Sequence, residues 1–291
     1  VRVALVTTGL LEFLALPQAL HALFPAHEFE SVDAGSNQPF HGFTSNPVRP
    51  LRSADPLGHA GRLVQAALGA VIPSRPGEEP FDLAVIVEDL EIANVDNEIV
   101  VRDHVRQSAR RVLAALPQKL SVRVAATLRT KVSFHLAVPM IESWFFGDLD
   151  GLKTEVPRVH WPPSLGSGPD HERFRTADPA YAVDDGLRCP NRAGRWKVPW
   201  LIERREEHPK AYLAWLLRDA THAKCTSYME AHEGVRLLSG LSWTAVLGHP
   251  EAYPFARALV RDLETTLGLS TAPGGGAIAG ADFTPTMLRN L

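Results

Sequence analysis

With 45% hydrophobic and 22% charged side chains over 291 residues, the chain has the make-up of an ordinary globular protein and room for one large domain or two modest ones. A formal net charge of −3 excludes a uniformly basic nucleic-acid binder but leaves a local basic face open. The apolar runs fall far short of a membrane span and no basic leader precedes the first of them, so the expectation is a cytoplasmic protein outside the membrane. Cys189 and Cys225 make neither a CxxC pair nor zinc-ligand spacing and read as free thiols.

In chain order, residues 1–6 read as a buried strand, Thr7-Thr8-Gly9 as a turn and residues 10–24 as a helix restarted at Pro17, the opening of a βα unit. Residues 28–54 read as an irregular polar excursion. Asp55-Pro56 then offers an N-cap and N1 pair for a helix carrying Leu57, Leu63, Val64, Ala67, Leu68 and Val71 on one face. The run Leu83-Ala84-Val85-Ile86-Val87 predicts a strand buried on both faces of a parallel sheet. Asp103 is placed to cap a helix with a stripe of Val105, Ala109, Val112, Leu113 and Leu116, and with Arg102, Arg106, Arg110 and Arg111 on a solvated face. Residues 121–128 alternate like a half-buried strand, and residues 133–138 form another, with Phe134, Leu136 and Val138 on one side.

Residues 151–207 lose periodicity and read as an insertion or lid with its own aromatic packing around Trp161, Tyr181, Trp196 and Trp200. Residues 208–268 return to helix. Tyr212, Leu213, Leu216 and Leu217 mark a first stripe and Val235, Leu237 and Leu238 a second. Ser242 is a cap for a third, and Phe255, Leu259, Leu263 and Leu267 lead to a C-cap at Gly268. Residues 269–291 read as a loose, Gly-rich tail. The predicted fold is thus an α/β core over residues 1–150 with a mostly parallel sheet, an irregular insertion, and a helical part packed on the core.

The chemistry centres on residues 81–96, where the apolar strand gives way to Glu88, Asp89 and Glu91. Ligands of parallel sheets sit beyond the carboxyl ends of the strands. Crowded carboxylates there read either as a solvated acidic loop or as a site for a hard cation such as Mg²⁺ or Mn²⁺. Glu12 follows the first strand and Glu142 the last, so all of these could meet on one edge. Carboxylates within ~4–6 Å of each other could hold one or two ions for phosphoryl transfer. Other signals are weaker. Thr7-Thr8-Gly9 lacks the lysine and further glycines of a phosphate loop. His208 before Pro209 suits a structural hydrogen bond, and Trp144 reads as core more readily than as a base-stacking platform.

The strand–glycine turn–Glu12 order, the Asp89-Leu90-Glu91 pair, the block Val138-Pro139-Met140-Ile141-Glu142-Ser143-Trp144, the block His208-Pro209-Lys210 and the stretch from Tyr228 to Leu238 together resemble an uncharacterised Toprim-like family related to the nuclease domains of overcoming-lysogenization-defect proteins. The resemblance covers about three quarters of the chain. It implies a Toprim-like fold and Mg²⁺ at Glu12, Glu88, Asp89 and Glu91. It also implies that Glu142 completes the shell, that Lys210 meets phosphate, and that an ATPase partner acts alongside in bacterial anti-phage operons. The family's first motif carries Glu where this chain has Thr8, and its late Tyr-x-Lys motif here reads Tyr228-Met229-Glu230, so that Lys210 or Lys224 would supply the missing charge. Two functions follow as expectations: a metal-dependent nuclease, or a catalytically weakened module that binds nucleic acid or a partner ATPase.

Overall fold

A four-stranded, all-parallel sheet in the order β2-β1-β3-β4 carries the fold of this computed structural model. The structure describes residues 1–52, 57–73, 77, 79–156, 161–166, 170–183, 204–217, 228–248, 251–269 and 286–291. Asp55-Pro56, Trp196, Trp200, both cysteines, Lys224 and the Gly-rich stretch 272–280 lie outside the described residues. The elements of the core are β1 (Arg2–Thr7), α1 (Leu10–Leu23), β2 (Glu28–Ser31), α2 (Gly58–Val71), β3 (Leu83–Asp89), α3 (Glu98–Ala114), α4 (Gln118–Lys131) and β4 (Val132–Ala137).

Both faces of the sheet are covered, which is why β1, β3 and β4 are apolar almost throughout. The pleat divides their side chains between two cores. Val3, Leu5, Leu83, Val85 and Val87 pack with α1 and the C-terminal helices. Ala4, Val6, Ala84, Ile86, Phe134, Leu136 and Val138 pack with α2, α3 and α4. The chain leaves β1 towards β2 on one side and leaves β3 towards β4 on the other. The carboxyl ends of β1 and β3 therefore flank the switch point, where a sheet of this kind opens a crevice. No helix among the described residues is long and apolar enough to cross a membrane.

Several expectations need correction. Helix α1 runs unbroken through Pro17. The carbonyl that Pro17 cannot engage, that of Phe13, accepts the Ser31 hydroxyl at 2.7 Å instead. Within the supposed excursion of residues 28–54, β2 pairs parallel to β1, and its single buried side chain, Phe29, left too weak a signal to find it. The loop that follows is pinned by Asn94. The Asn94 side-chain amide donates to the Thr44 and Asn46 carbonyls at 2.6 and 3.2 Å, and its oxygen accepts from Val48 N at 2.7 Å. Helix α3 begins at Glu98, so Asp103 lies inside it and pairs with Arg106 rather than capping.

Residues 121–128 are helix, not strand: they belong to α4, which buries Val124 and Leu128 at i,i+4 spacing and leaves Val122 67% exposed. Residues 286–291, read as part of a loose tail, dock on β4. Asn290 takes Phe134 N and donates to Phe134 O, while Leu288 and Leu291 are buried. In the insertion, Phe174 and Tyr181 join the main core beside Tyr212 rather than forming a separate one. The third C-terminal helix is capped as expected, Ser242 Oγ accepting from Ala245 N, and Gly268 takes the left-handed conformation, φ 74°, that ends the Pro254–Thr266 helix. Trp144 is core: its indole N–H donates at 2.8 Å to the fully buried Glu172, whose other bonds come from Phe255 N and Ala256 N at the start of that helix.

Candidate functional site

Four acidic side chains gather at the carboxyl edge of the sheet. Glu12 stands in the first turn of α1, where a negative charge suits the helix terminus, and is 2% exposed. Its carboxyl folds back over the turn, and a Cβ on Gly9 would lie 1.9 Å from Glu12 Oε2, so any side chain there would have to displace that carboxyl. Glu12 Oε1 has no hydrogen-bond partner among the described residues. Asp89 closes β3 and accepts from Ile141 N at 2.9 Å, tying the strand to the 3₁₀-helix Ile141–Gly147 that carries Glu142. Glu91 follows in a left-handed conformation, φ 63° and ψ 152°, a region that disfavours every residue but glycine. Its N–H donates to Pro139 O at 2.6 Å, which holds the turn closed against the end of β4.

The fourth side, opposite the sheet, comes from the C-terminal part. Tyr228 donates to Glu142 Oε1 at 3.1 Å. Lys210, early in the helix Pro209–Leu216, brings its ammonium to 3.9 Å from Glu142 Oε1 and pairs directly with Glu230 of the π-helical turn Glu230–Gly234. His208 is the N-cap of the Lys210 helix, its Nδ1 accepting from Ala211 N at 3.3 Å. Burial, reinforced by the Lys210 charge, lowers the His208 pKa to about 4, so it stays neutral, and the structural hydrogen bond expected of it is this helix cap.

Burial and mutual repulsion raise the pKa values of the carboxyls. Burial, then the Glu142 charge, raises Glu12 to about 7. Burial, then Glu12, Glu142 and Glu91, holds Asp89 well above the usual range. Glu91 and Glu142 are also raised by burial, with Lys210 working against the shift. For Lys210 burial pulls downward, but Glu142 and Glu230 outweigh it and raise the pKa. Glu12 and Asp89 interact carboxyl to carboxyl. Among the described residues no three such groups have their ligating atoms already set around one point. The reason is local: Asp89 is turned to Ile141 N, Glu142 to Tyr228 and Lys210, and Glu12 back over Gly9. The donor set is nonetheless all oxygen, partly unsatisfied and short of positive charge, which suits Mg²⁺ or Mn²⁺.

Glu88 does not join them. It follows Val87 and precedes Asp89 on one strand, so its side chain points to the opposite face. There Glu88 Oε1 accepts from Phe43 N at 3.0 Å and lies 2.6 Å from Thr44 Oγ1. Burial raises its pKa to about 7 despite these bonds. Thr8 belongs to the same side, where its side chain acts on the Glu88 carboxyl and its Cβ lies near Gly42. A carboxylate at position 8 would therefore meet Glu88 and not the metal-ligand candidates. Gly9 is covered by the Glu12 carboxyl, which would repel a phosphate at that turn. Tyr228 and Glu230, noted in the sequence only as family positions, are the site residues that sequence reasoning left without a role.

Raised carboxyl pKa values fix the sign of the pH dependence. The unfolded chain releases these protons near the ordinary value of 4.5, the folded chain only near 7 for Glu12 and Glu88 and near 8 for Glu172. The folded state binds more protons across that interval, so the metal-free protein is expected to lose stability as pH rises from about 4.5 to 8. Melting curves in chelator across that range check this, and a Tm that climbs with pH would contradict it. Glu91→Gly removes both left-handed strain and a repelling carboxyl. It is expected to raise the metal-free Tm by on the order of 2–4 °C, and an unchanged or lower Tm by calorimetry would refute the strain.

No family model matches the chain, and neither a curated protein nor a solved structure matches it significantly.

Proposed function

We propose that this chain is a divalent-cation-dependent, Toprim-like protein that cleaves phosphodiester bonds in nucleic acid. The observation that carries the proposal is the meeting of Glu12, Asp89, Glu91 and Glu142 at the switch point of a parallel sheet, with a buried, unpartnered oxygen on Glu12. Glu12, Asp89 and Glu91 would hold Mg²⁺ or Mn²⁺, and Glu142, oriented by Tyr228, would complete the set. Bound there, the ion would supply Lewis acidity at a phosphoryl oxygen and lower the pKa of a water. The chain's own groups do the rest. Lys210 offers an ammonium on the same side for a phosphate oxygen, and a carboxyl of the cluster with a raised pKa can accept a proton near neutral pH. The wider setting, bacterial anti-phage defence with an ATPase partner, rests on the resemblance of the sequence blocks around Glu142, Lys210 and Tyr228.

One observation favours a second reading, a weakened module that binds nucleic acid or a partner ATPase without cutting. Lys210 is already engaged by Glu142 and Glu230, so less of its charge is free for a phosphate. Melting curves with Mg²⁺ and Mn²⁺, beside cleavage assays on single- and double-stranded DNA and on RNA, separate the two. Wild type is expected to gain about 2.7 kcal/mol at a metal concentration of 100 Kd, and to cleave at least one substrate. Asp89→Asn is expected to lose both. Glu88→Gln, on the other face of β3, is expected to keep the metal response. Metal-dependent melting without cleavage would favour the module, and a metal response that survives Asp89→Asn would remove the site.

A further inference from the structure

The position of Lys210 bears on how many ions this site can take, a question that rests on the divalent site proposed above. Two-ion phosphoryl-transfer centres place their ions about 3.5–4 Å apart, with a carboxylate shared between them. The carboxylate placed for such sharing here is Glu142, whose charge acts on Glu12 and Asp89 and which also neighbours Lys210 and Glu230. Beside Glu230 it already has a cation: the Lys210 ammonium lies 3.9 Å from Glu142 Oε1 and in direct contact with Glu230. Its approach is built in by the His208 cap, the Pro209 helix start and the Glu230–Gly234 turn, and its side chain is only 39% exposed. Glu12 is different. It is buried and its Oε1 is left unpartnered, the kind of atom an ion would satisfy.

We infer that the Lys210 ammonium, held between Glu142 and Glu230, occupies the place of a second metal ion, so that the site takes a single divalent ion on the Glu12–Asp89 side. Glu230 is then a positioning residue for Lys210 and not a metal ligand. The arrangement keeps two cations at the site, one exchangeable and one fixed to the chain. An ammonium supplies charge and three N–H donors but no Lewis-acid coordination. It can stabilise a phosphate oxygen but cannot activate a water, so the single ion remains the one centre that lowers a water's pKa.

The test is a count of bound Mn²⁺ per chain by isothermal titration calorimetry and by electron paramagnetic resonance of free Mn²⁺, without substrate. Wild type is expected to bind one ion. Lys210→Met, which removes the fixed cation but leaves every carboxyl, is expected to bind two, and Lys210→Arg to return to one. Circular dichroism checks that each variant is folded, and Lys210→Gln takes the place of the methionine variant should that one not fold. Two ions in wild type, or one in both wild type and the charge-removed variant, would overturn the inference while leaving the divalent site standing. No ion in wild type and one in the variant would overturn it as well, since Lys210 would then exclude metal altogether. No Mn²⁺ in any of them would remove the divalent site itself, and the inference with it.

Discussion

The imbalance of charge at the carboxyl edge of β1 and β3 is the constraint on which the rest of the site depends. Among the described residues, Glu12, Asp89, Glu91, Glu142 and Glu230 share one nearby ammonium, Lys210. Such a cluster cannot be fully ionised in a half-dry cleft, and repulsion must be relieved by protons, by the lysine or by a further cation. All the local structure around it works against that repulsion. Glu12 sits at a helix N-terminus, Asp89 accepts a backbone N–H, and Glu142 accepts a phenol and faces the ammonium. What remains uncompensated is the unpartnered oxygen of Glu12 and the left-handed backbone of Glu91, which costs on the order of 1–3 kcal/mol. Destabilising features of this kind cluster at ligand sites in many proteins.

The scaffold places these groups without any of them having to be flexible. The order of strands sets the crevice between β1 and β3, and the pleat decides which carboxyls enter it. The 3₁₀-helix carrying Glu142 is anchored at both ends of its packing: Asp89 takes Ile141 N, and the Trp144 indole is held by Glu172. Glu172 in turn caps the Pro254–Thr266 helix, so the 3₁₀-helix that carries Glu142 and the C-terminal part are linked through one buried carboxyl. A second clasp lies behind β4, where His135 Nε2 meets Asp262 at 2.9 Å and Asp262 also pairs with Arg289. These contacts fix the Pro254–Thr266 helix, while the Lys210 helix packs on the Ile141–Gly147 3₁₀-helix and the Glu230–Gly234 turn on α1.

Much of this was written in the chain in readable form. The apolar runs of β1 and β3 announced a sheet covered on both faces, and the carboxyls at their ends announced where its crevice would lie. The separation of Glu88 from Asp89 was legible too, since neighbours on a strand must face opposite ways. Their shared charge groups them as ligands, and the pleat separates them. Residues 121–128 were misread because Val122, Val124 and Ala126 satisfy a strand pattern while Val124 and Leu128 satisfy a helical one, and only the cover needed by the second core decides between them. The pairing of Lys210 with Glu230, or of Tyr228 with Glu142, was out of reach. Each joins distant parts of the chain through tertiary packing, and neither charge nor spacing marks it beforehand.

Anomalous scattering from Mn²⁺ in crystals of the wild-type protein, recorded above the manganese edge, addresses the central claim most directly. A peak is expected between the carboxyls of Glu12, Asp89, Glu91 and Glu142, with oxygens drawn to within about 2.0–2.6 Å of the ion. A crevice free of anomalous density at saturating Mn²⁺, or a peak only on the Glu88 face of the sheet, would contradict it.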